Sequence, residues 1–374
     1  MIKKKRARDL GLPFPGTPGP FNAITDVAGV EVGFLTLTDP ADRLRTGVTA
    51  ILPRGHGPEP VPVWAGHYAL NGNGEMTGTH WIDDAGHFLG PVLITNTHAV
   101  GACHTGAVRW MIDTYADFFR NDHAWAMPVV AETYDGVLND INRLAVAPEH
   151  ALEALRSARS GPVAEGSTGG GNGMIAYEFK GGTGTASRRV ELGQTYTVAA
   201  LVQANHGIRP WFTVLGRPVG ALMPEDRLIE KETGSIIVVL ATDAPLSPLS
   251  LKALAKRAAI GIGRAGTPGG NNSGDIFLAF STANAQAMPQ RQGLVQSFDW
   301  LNPERIDPLY LAAVEAVDEA VVNAIVAGED VATVKPAGLT CRAISHDRLA
   351  ALFRAADPSG SPLPPGPVPA PQLL

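Results

Sequence analysis

The chain has 374 residues, 45% of them hydrophobic and 18% charged, which is enough apolar material for a large packed core. A formal net charge of −6 excludes the broad positive field that gathers phosphates, so no nucleic-acid partner is expected. Two cysteines, Cys103 and Cys341, exclude a disulfide framework and a thiolate zinc cluster, and no window reaches the ~20 apolar residues of a membrane span.

The opening segment MIKKKRARDLGLPFPG is basic, but no apolar run follows Arg8. It reads as a solvated basic tail and not as a secretory signal, so a cytoplasmic protein is expected. The runs Val92–Thr95, Val129–Ala131, Tyr196–Gln203, Ser235–Leu240 and Ile276–Ser281 are short, apolar and bounded by turn formers, and they predict buried strands. Helices are predicted over 99–118, 249–261 and 308–327. The last places Leu309, Ala313, Ala316, Val317, Ala320 and Ala324 on a buried face and Glu315, Glu319 and Asn323 on a solvated stripe. Gly216 and Pro218 predict a hairpin over Trp211–Ala221.

Glycine is clustered at 166–173, 181–184 and 261–274. Turns in a sheet-rich protein account for the first two clusters, and GSTGGGNG lacks the GxxxxGK[ST] pattern of a phosphate cradle. His98 and His104 do not share a helix face, and His56, His67, His80 and His87 show no zinc spacing, so neither metal nor cofactor is expected. Strand runs and helices alternate irregularly. They predict one α/β catalytic domain over 1–356, with sheets sandwiched by helices instead of a regular βαβ array. The segment 357–374 is proline-rich and predicts an extended or disordered tail.

Chemistry concentrates in Gly269-Gly270-Asn271-Asn272-Ser273-Gly274-Asp275, which runs directly into IFLAFS. Small neighbours let the backbone expose the Asn272 carbonyl to the Ser273 hydroxyl. Attack converts that amide to an ester, and water completes the cut. Ser273 then carries its own α-amine, which titrates near pH ~7.7–8.0 and serves as a general base without any histidine. Taken alone, this spacing is ordinary turn chemistry.

Further blocks accompany it in order: NAITDVAGVEVG (22–33), RTGVTAILP (45–53), TNTHAVG (95–101), AETYDGVLND (131–140), VQANHG (202–207), ATDAPL (241–246) and NNSGDIFLAFSTAN (271–284). Together they resemble the self-processing serine aminopeptidases, the family of L-aminopeptidase/D-alanine esterase-amidase and the β-peptidyl aminopeptidases. The resemblance implies a layered αββα sandwich of the self-processing N-terminal-nucleophile hydrolase type, similar to the aminopeptidase/ornithine acetyltransferase fold. It implies self-cleavage between Asn272 and Ser273 into pieces 1–272 and 273–374, and assembly as a homo-tetramer of processed chains.

The same resemblance assigns roles residue by residue. Ser273 matches the nucleophile, Asn205 the donor to the oxyanion, Glu132 the acid that receives the substrate's free amine, and Tyr134 a pocket residue beside it. Glu319 matches an acid near the nucleophile, while Val317 stands where some members carry a serine in contact with it. Without the resemblance, Asn205 reads as a turn cap, Glu132 as a surface acid at a strand end, and Glu319 as a solvated helix acid. The implied activity is release of N-terminal amino acids from small peptides, amides or esters. The alternatives are acyl transfer of the ornithine acetyltransferase kind, and a binding protein of the same fold that does not process. Serine at 273, where those acetyltransferases cut before threonine, argues against the first. One band or two in denaturing electrophoresis separates the second.

Overall fold

The computed structural model describes residues 4–354, and the proline-rich segment 357–374 lies outside the described residues. Four strands, β1 (Glu31–Asp39), β2 (Leu44–Leu52), β5 (Val92–Asn96) and β6 (Val129–Thr133), form one sheet in the order β1-β2-β5-β6. Six form a second sheet: β3 (Val63–Ala69), β4 (His87–Phe88), β9 (Gly182–Glu191), β10 (Thr195–Asn205), β11 (Ser235–Thr242) and β12 (Gly274–Ser281). Their order is β4-β3-β12-β11-β10-β9. Two small hairpins, β7 (Ile175–Ala176) with β8 (Phe179–Lys180) and β13 (Val331–Ala332) with β14 (Thr340–Cys341), lie outside the two sheets.

Strand residues alternate faces, so a strand covered on both sides shows no polar face. Ile276, Leu278 and Phe280 of β12 pack between the sheets with Ile51, Ile94, Ala131, Leu201 and Val239. Their neighbours Phe277 and Ala279 pack instead under the helices α6 (Pro248–Arg264) and α7 (Asp307–Val326). On the other side, α2 (Val100–Thr114) and α4 (Pro148–Arg156) cover Ala50, Leu93 and Val130. The layers therefore run helix, sheet, sheet, helix, which is the αββα sandwich expected from the sequence. The short helices α1 (Thr79–Ala85), α3 (Ala116–Asn121), α5 (Val219–Leu222) and α8 (His346–Arg354) sit in the connections.

The five predicted strands and three predicted helices are present. Strands β1, β2, β3, β4 and β9 of the two sheets, and the two small hairpins, are additional. The sequence of β9, GTGTASRRVE, is masked by small residues that α7 requires, since a side-chain carbon on Gly184 would lie 2.0 Å from the Ala320 carbonyl. The hairpin expected at 211–221 is a single tight turn in which Val214 and Arg217 exchange backbone bonds. It does not extend into strands. The buried Arg209 guanidinium binds the carbonyls of Tyr177, Glu178, Met223 and Glu225 and folds the chain back on itself.

Two expectations about charge are corrected. From Arg6 onward the basic opening segment is docked and not solvated: Arg6 pairs with Glu165 at 2.7 Å, Ala7 is fully buried, and Arg8 reaches Glu319, while Lys4 and Lys5 are exposed. For the same reason the stripe Glu315, Glu319, Asn323 is covered. Glu319 is fully buried and accepts from Arg8 Nε at 2.9 Å, Arg188 Nη2 at 2.7 Å and Asn22 Nδ2 at 2.6 Å. Asn323 accepts from the Ala7 amide and donates to the Thr185 carbonyl.

Burial raises the Glu319 carboxyl, but the Arg8 bond and the charges of Arg188 and Arg8 outweigh that and hold it below the usual carboxylate range. Its stabilisation is thus present above the unfolded carboxylate range and is lost as pH falls through its lowered folded value. Glu319→Ala leaves Arg188 buried with Glu315 alone, and should cost roughly 3–5 kcal/mol in urea unfolding at pH 7. The deficit should shrink on acidification through the folded-state titration of Glu319.

Candidate active site

The nucleophile lies where two chain segments cross. Gly269 adopts φ +72°, and the Ser273 amide donates to the Gly270 carbonyl at 2.9 Å, closing a tight turn just before β12. The segment that follows β3 lies across this turn. Asn73 Nδ2 donates to the Asn272 carbonyl at 2.6 Å, and Asn71 Nδ2 donates to the Gly270 carbonyl at 3.1 Å. The approach is so close that a side-chain carbon on Gly274 would sit 2.3 Å from the Asn73 carbonyl. Ser273 is fully buried, and its Oγ donates to Asp275 Oδ1 at 2.5 Å.

Glu132 ends β6 in the opposite sheet, where it is buried instead of exposed. One oxygen accepts from the Glu75 amide at 3.0 Å and the other from the Thr97 hydroxyl. Gly74 separates it from the cleavage turn. A side-chain carbon there would come within 3.2 Å of Glu132 Oε1 and 3.3 Å of Gly274 Cα. Burial raises the Glu132 carboxyl, only partly offset by the Thr97 and Glu75 bonds.

Asn205 closes β10 opposite Ser235, which is itself level with Gly274 across the parallel β11–β12 pair. Its Oδ1 accepts from the Ile175 amide at 2.8 Å and its Nδ2 donates to the Tyr134 carbonyl at 2.9 Å. These two bonds fix which end of the amide is nitrogen and leave its second N–H for another acceptor. Tyr134, Asn205, Val137, Ile175, His206 and Ile229 line a small, half-open cleft. His206 is held neutral, its pKa lowered to about 3 by burial, and among the described residues neither ring nitrogen has a hydrogen-bond partner.

Residues 22–337 match the model of peptidase family S58. The chain belongs to that family. It is 50% identical over 372 residues to the beta-peptidyl aminopeptidase BapA of Sphingosinicella microcystinivorans, covering 93% of this chain and 92% of that one. The beta-peptidyl aminopeptidase BapA of Sphingosinicella xenopeptidilytica is 42% identical, with 94% and 92% covered. Among solved structures it is similar to the L-aminopeptidase D-Ala-esterase/amidase of Ochrobactrum anthropi, described as a prototype serine aminopeptidase with a variant of the Ntn hydrolase fold. That match has a TM-score of 0.89 and 57% identity, and covers 94% of this chain and 98% of the other. A Burkholderia beta-aminopeptidase follows with TM-score 0.85 and 44% identity, covering 94% and 98%. This S58 chain is a serine aminopeptidase of the Ntn-hydrolase type.

Within this S58 site the structure brings Asn272, Ser273, Glu132, Asn205 and Tyr134 to one end of the two sheets. It does not bring Glu319. The Arg188 partner of Glu319 pairs with Val198 on β10, seven residues and about 23 Å along the strand from Asn205. Among the described residues Glu319 bonds to Arg8, Arg188 and Asn22, so in this fold it is not an acid beside the nucleophile. Val317 packs against Gly261 of α6, and no proton network of Ser273 runs through it.

Sequence reading missed Asn71, Asn73, Asp275 and Glu232. Glu232 accepts from the amides of Gly207 and Gly270 and so ties the Asn205 end of the site to the cleavage turn. Asp275 stood inside the quoted NNSGD block, two residues from the serine and pointing back along an extended strand. Asn71 and Asn73 had only the alternation NGNG as a signal, which reads as a plain turn. Gly274→Ala sets a new carbon against the backbone of Asn73. It should leave the fold intact by circular dichroism and cut aminoacyl p-nitroanilide hydrolysis at least tenfold.

Proposed function

We propose that this peptidase cuts its own chain between Asn272 and Ser273, and then uses Ser273 to release N-terminal residues from peptides, amides and esters that bear a free amine. The observation that carries the reading is a buried serine at the head of β12, with the Glu132 carboxylate one glycine away and the Asn205 amide two strands across. In the cut enzyme the Ser273 α-amine takes the hydroxyl proton as Oγ attacks the substrate carbonyl. The free N–H of Asn205 receives the developing oxyanion. Glu132 holds the substrate ammonium by charge-assisted hydrogen bonding, which selects exopeptide substrates. Tyr134 borders the cleft that receives the side chain.

The relatives named for β-peptidyl and D-alanyl substrates support this class of small, free-amine substrate. A cytoplasmic homo-tetramer of processed chains belongs to the same reading. The buried, unpaired Cys103 and Cys341 suit a reducing compartment, and the exposed Leu294, Val295 and Trp300 offer apolar surface for assembly.

Ser273→Ala should purify as one folded, uncut chain without hydrolase activity, while the wild type gives a piece ending at Asn272 and a piece starting at Ser273. Intact mass and N-terminal sequencing check this. N-acetylated substrates should be turned over at least a hundredfold more slowly than free-amine ones. The pH profile of kcat/KM should rise through roughly pH 7–8 as the α-amine loses its proton. On the acid side the burial-raised carboxyl of Glu132 becomes protonated and loses its grip on the ammonium. That limb should therefore lie above the ordinary carboxylate range and vanish in Glu132→Gln. Equal turnover of blocked and free substrates overturns the role of Glu132.

A further inference from the structure

Self-cleavage and peptide turnover share a nucleophile but cannot share a base, because the Ser273 nitrogen is an amide until the chain is cut. An uncut chain needs another proton acceptor for Oγ and another donor for the Asn272 oxyanion, and both are in place around the turn. Building on the proposed cut before Ser273, we propose that Asp275 is the general base of self-cleavage and Asn73 its oxyanion donor, with Asn71 positioning Asp275.

Three contacts support the assignment. Ser273 Oγ has its hydrogen bond to Asp275 Oδ1 at 2.5 Å. The oxygen that becomes the oxyanion, on Asn272, accepts from Asn73 Nδ2 at 2.6 Å. Asn71 grips Asp275 at both ends, accepting from its amide at 2.7 Å and donating to Oδ2 at 3.3 Å. Asp275 is buried, and burial raises its carboxyl although the Ser273 and Asn71 bonds pull it down. A raised carboxylate is a better proton acceptor than a solvated one. The other ionisable groups facing this pocket are Glu232 and the Tyr177 hydroxyl, and Glu132 lies beyond Gly74. Among the described residues no arginine or lysine bonds to Asp275.

The step balances within the chain and one water. Ser273 Oγ forms a bond to the Asn272 carbonyl carbon while its proton passes to Asp275, and Asn73 holds the resulting oxyanion. As the oxyanion collapses, the carbon–nitrogen bond breaks and Asp275 returns the proton to the leaving nitrogen, which becomes the Ser273 α-amine. Water then hydrolyses the ester, freeing the Asn272 carboxylate and the Ser273 hydroxyl. Once cut, the Asn272 carbonyl is no longer part of the reacting bond, so Asn73 serves maturation while Asn205 serves turnover.

The test follows appearance of the fragment starting at Ser273 after cell-free synthesis of the full chain, in buffers from pH 5 to 8, with Ser273→Ala as the uncut reference. Folding of each variant is compared with that reference by thermal melting. Asn73→Ala should slow cleavage by about 10²–10³-fold, and Asp275→Asn by about 10²–10⁴-fold. The wild-type rate should climb with pH as the raised Asp275 carboxyl ionises, and the residual rate of Asp275→Asn should lose that dependence. Should Asp275→Asn fail to fold, the side chain of Asn73, at the exposed edge of the turn, and the wild-type pH profile still decide the matter. Cleavage of folded Asn73→Ala or Asp275→Asn within threefold of wild type overturns the assignment, as does a flat wild-type profile. A wild-type chain that is cut elsewhere, or never, overturns the proposed function itself and this inference with it.

Discussion

The site depends on one close approach of backbone to backbone. The segment after β3 can lie this close across the head of β12 only because Gly274 lacks a side chain at the crossing, and Gly74 keeps the opposite side of the contact tight. From that contact follow the Asn73 bond to the Asn272 carbonyl, the Asn71 grip on Asp275, and the one-residue gap between Glu132 and the cleavage turn. Glycine here is a steric requirement more than a conformational one: Gly274 is buried in an extended strand, and a larger residue has to push the Asn73 carbonyl aside.

The sheets then set the distances. Asn205, Ser235 and Gly274 stand in one row across β10, β11 and β12, so register and not a loop sets the amide level with the head of β12. The opposing sheet delivers Glu132 by the same means, since β5 and β6 run parallel and both end at the site with Asn96 and Thr133 paired. Groups fixed by rigid strands need little reorganisation as charge develops, which is where most catalytic stabilisation arises.

Much of this was legible in the sequence where the physics is local. Val/Ile runs bounded by turns gave β5, β6, β10, β11 and β12, because strands covered on both faces must be apolar throughout. The NNSGD junction and its accompanying blocks pointed to Ser273, Asn205, Glu132 and Tyr134, and the structure gathers these at one end of the sheets. The fate of Glu319 was not legible. Its i, i+4 spacing with Glu315 and Asn323 describes a polar stripe equally well whether water or a docked segment covers it, and only the fold reveals Arg8, Asn22 and Arg188. Asn71 and Asn73 were hidden for a similar reason, since their partners lie about two hundred residues away in the chain.

The two regions treat buried acid in opposite ways. Glu319 is met by two arginines, which hold it ionised and lock the opening segment onto β9 and α7. Around Ser273, Glu132, Glu232 and Asp275 are met only by N–H and O–H donors, and burial raises all three. Among the described residues none of these three forms a salt bridge. Neutral donors compensate desolvation less fully than a counter-charge does, so the pocket retains a deficit of positive charge. A substrate with a free N-terminus brings the missing cation with it, and an N-acetylated one does not. In the proposed reading, preference for the free amine then follows from what the fold omits around the serine as well as from the role assigned to Glu132.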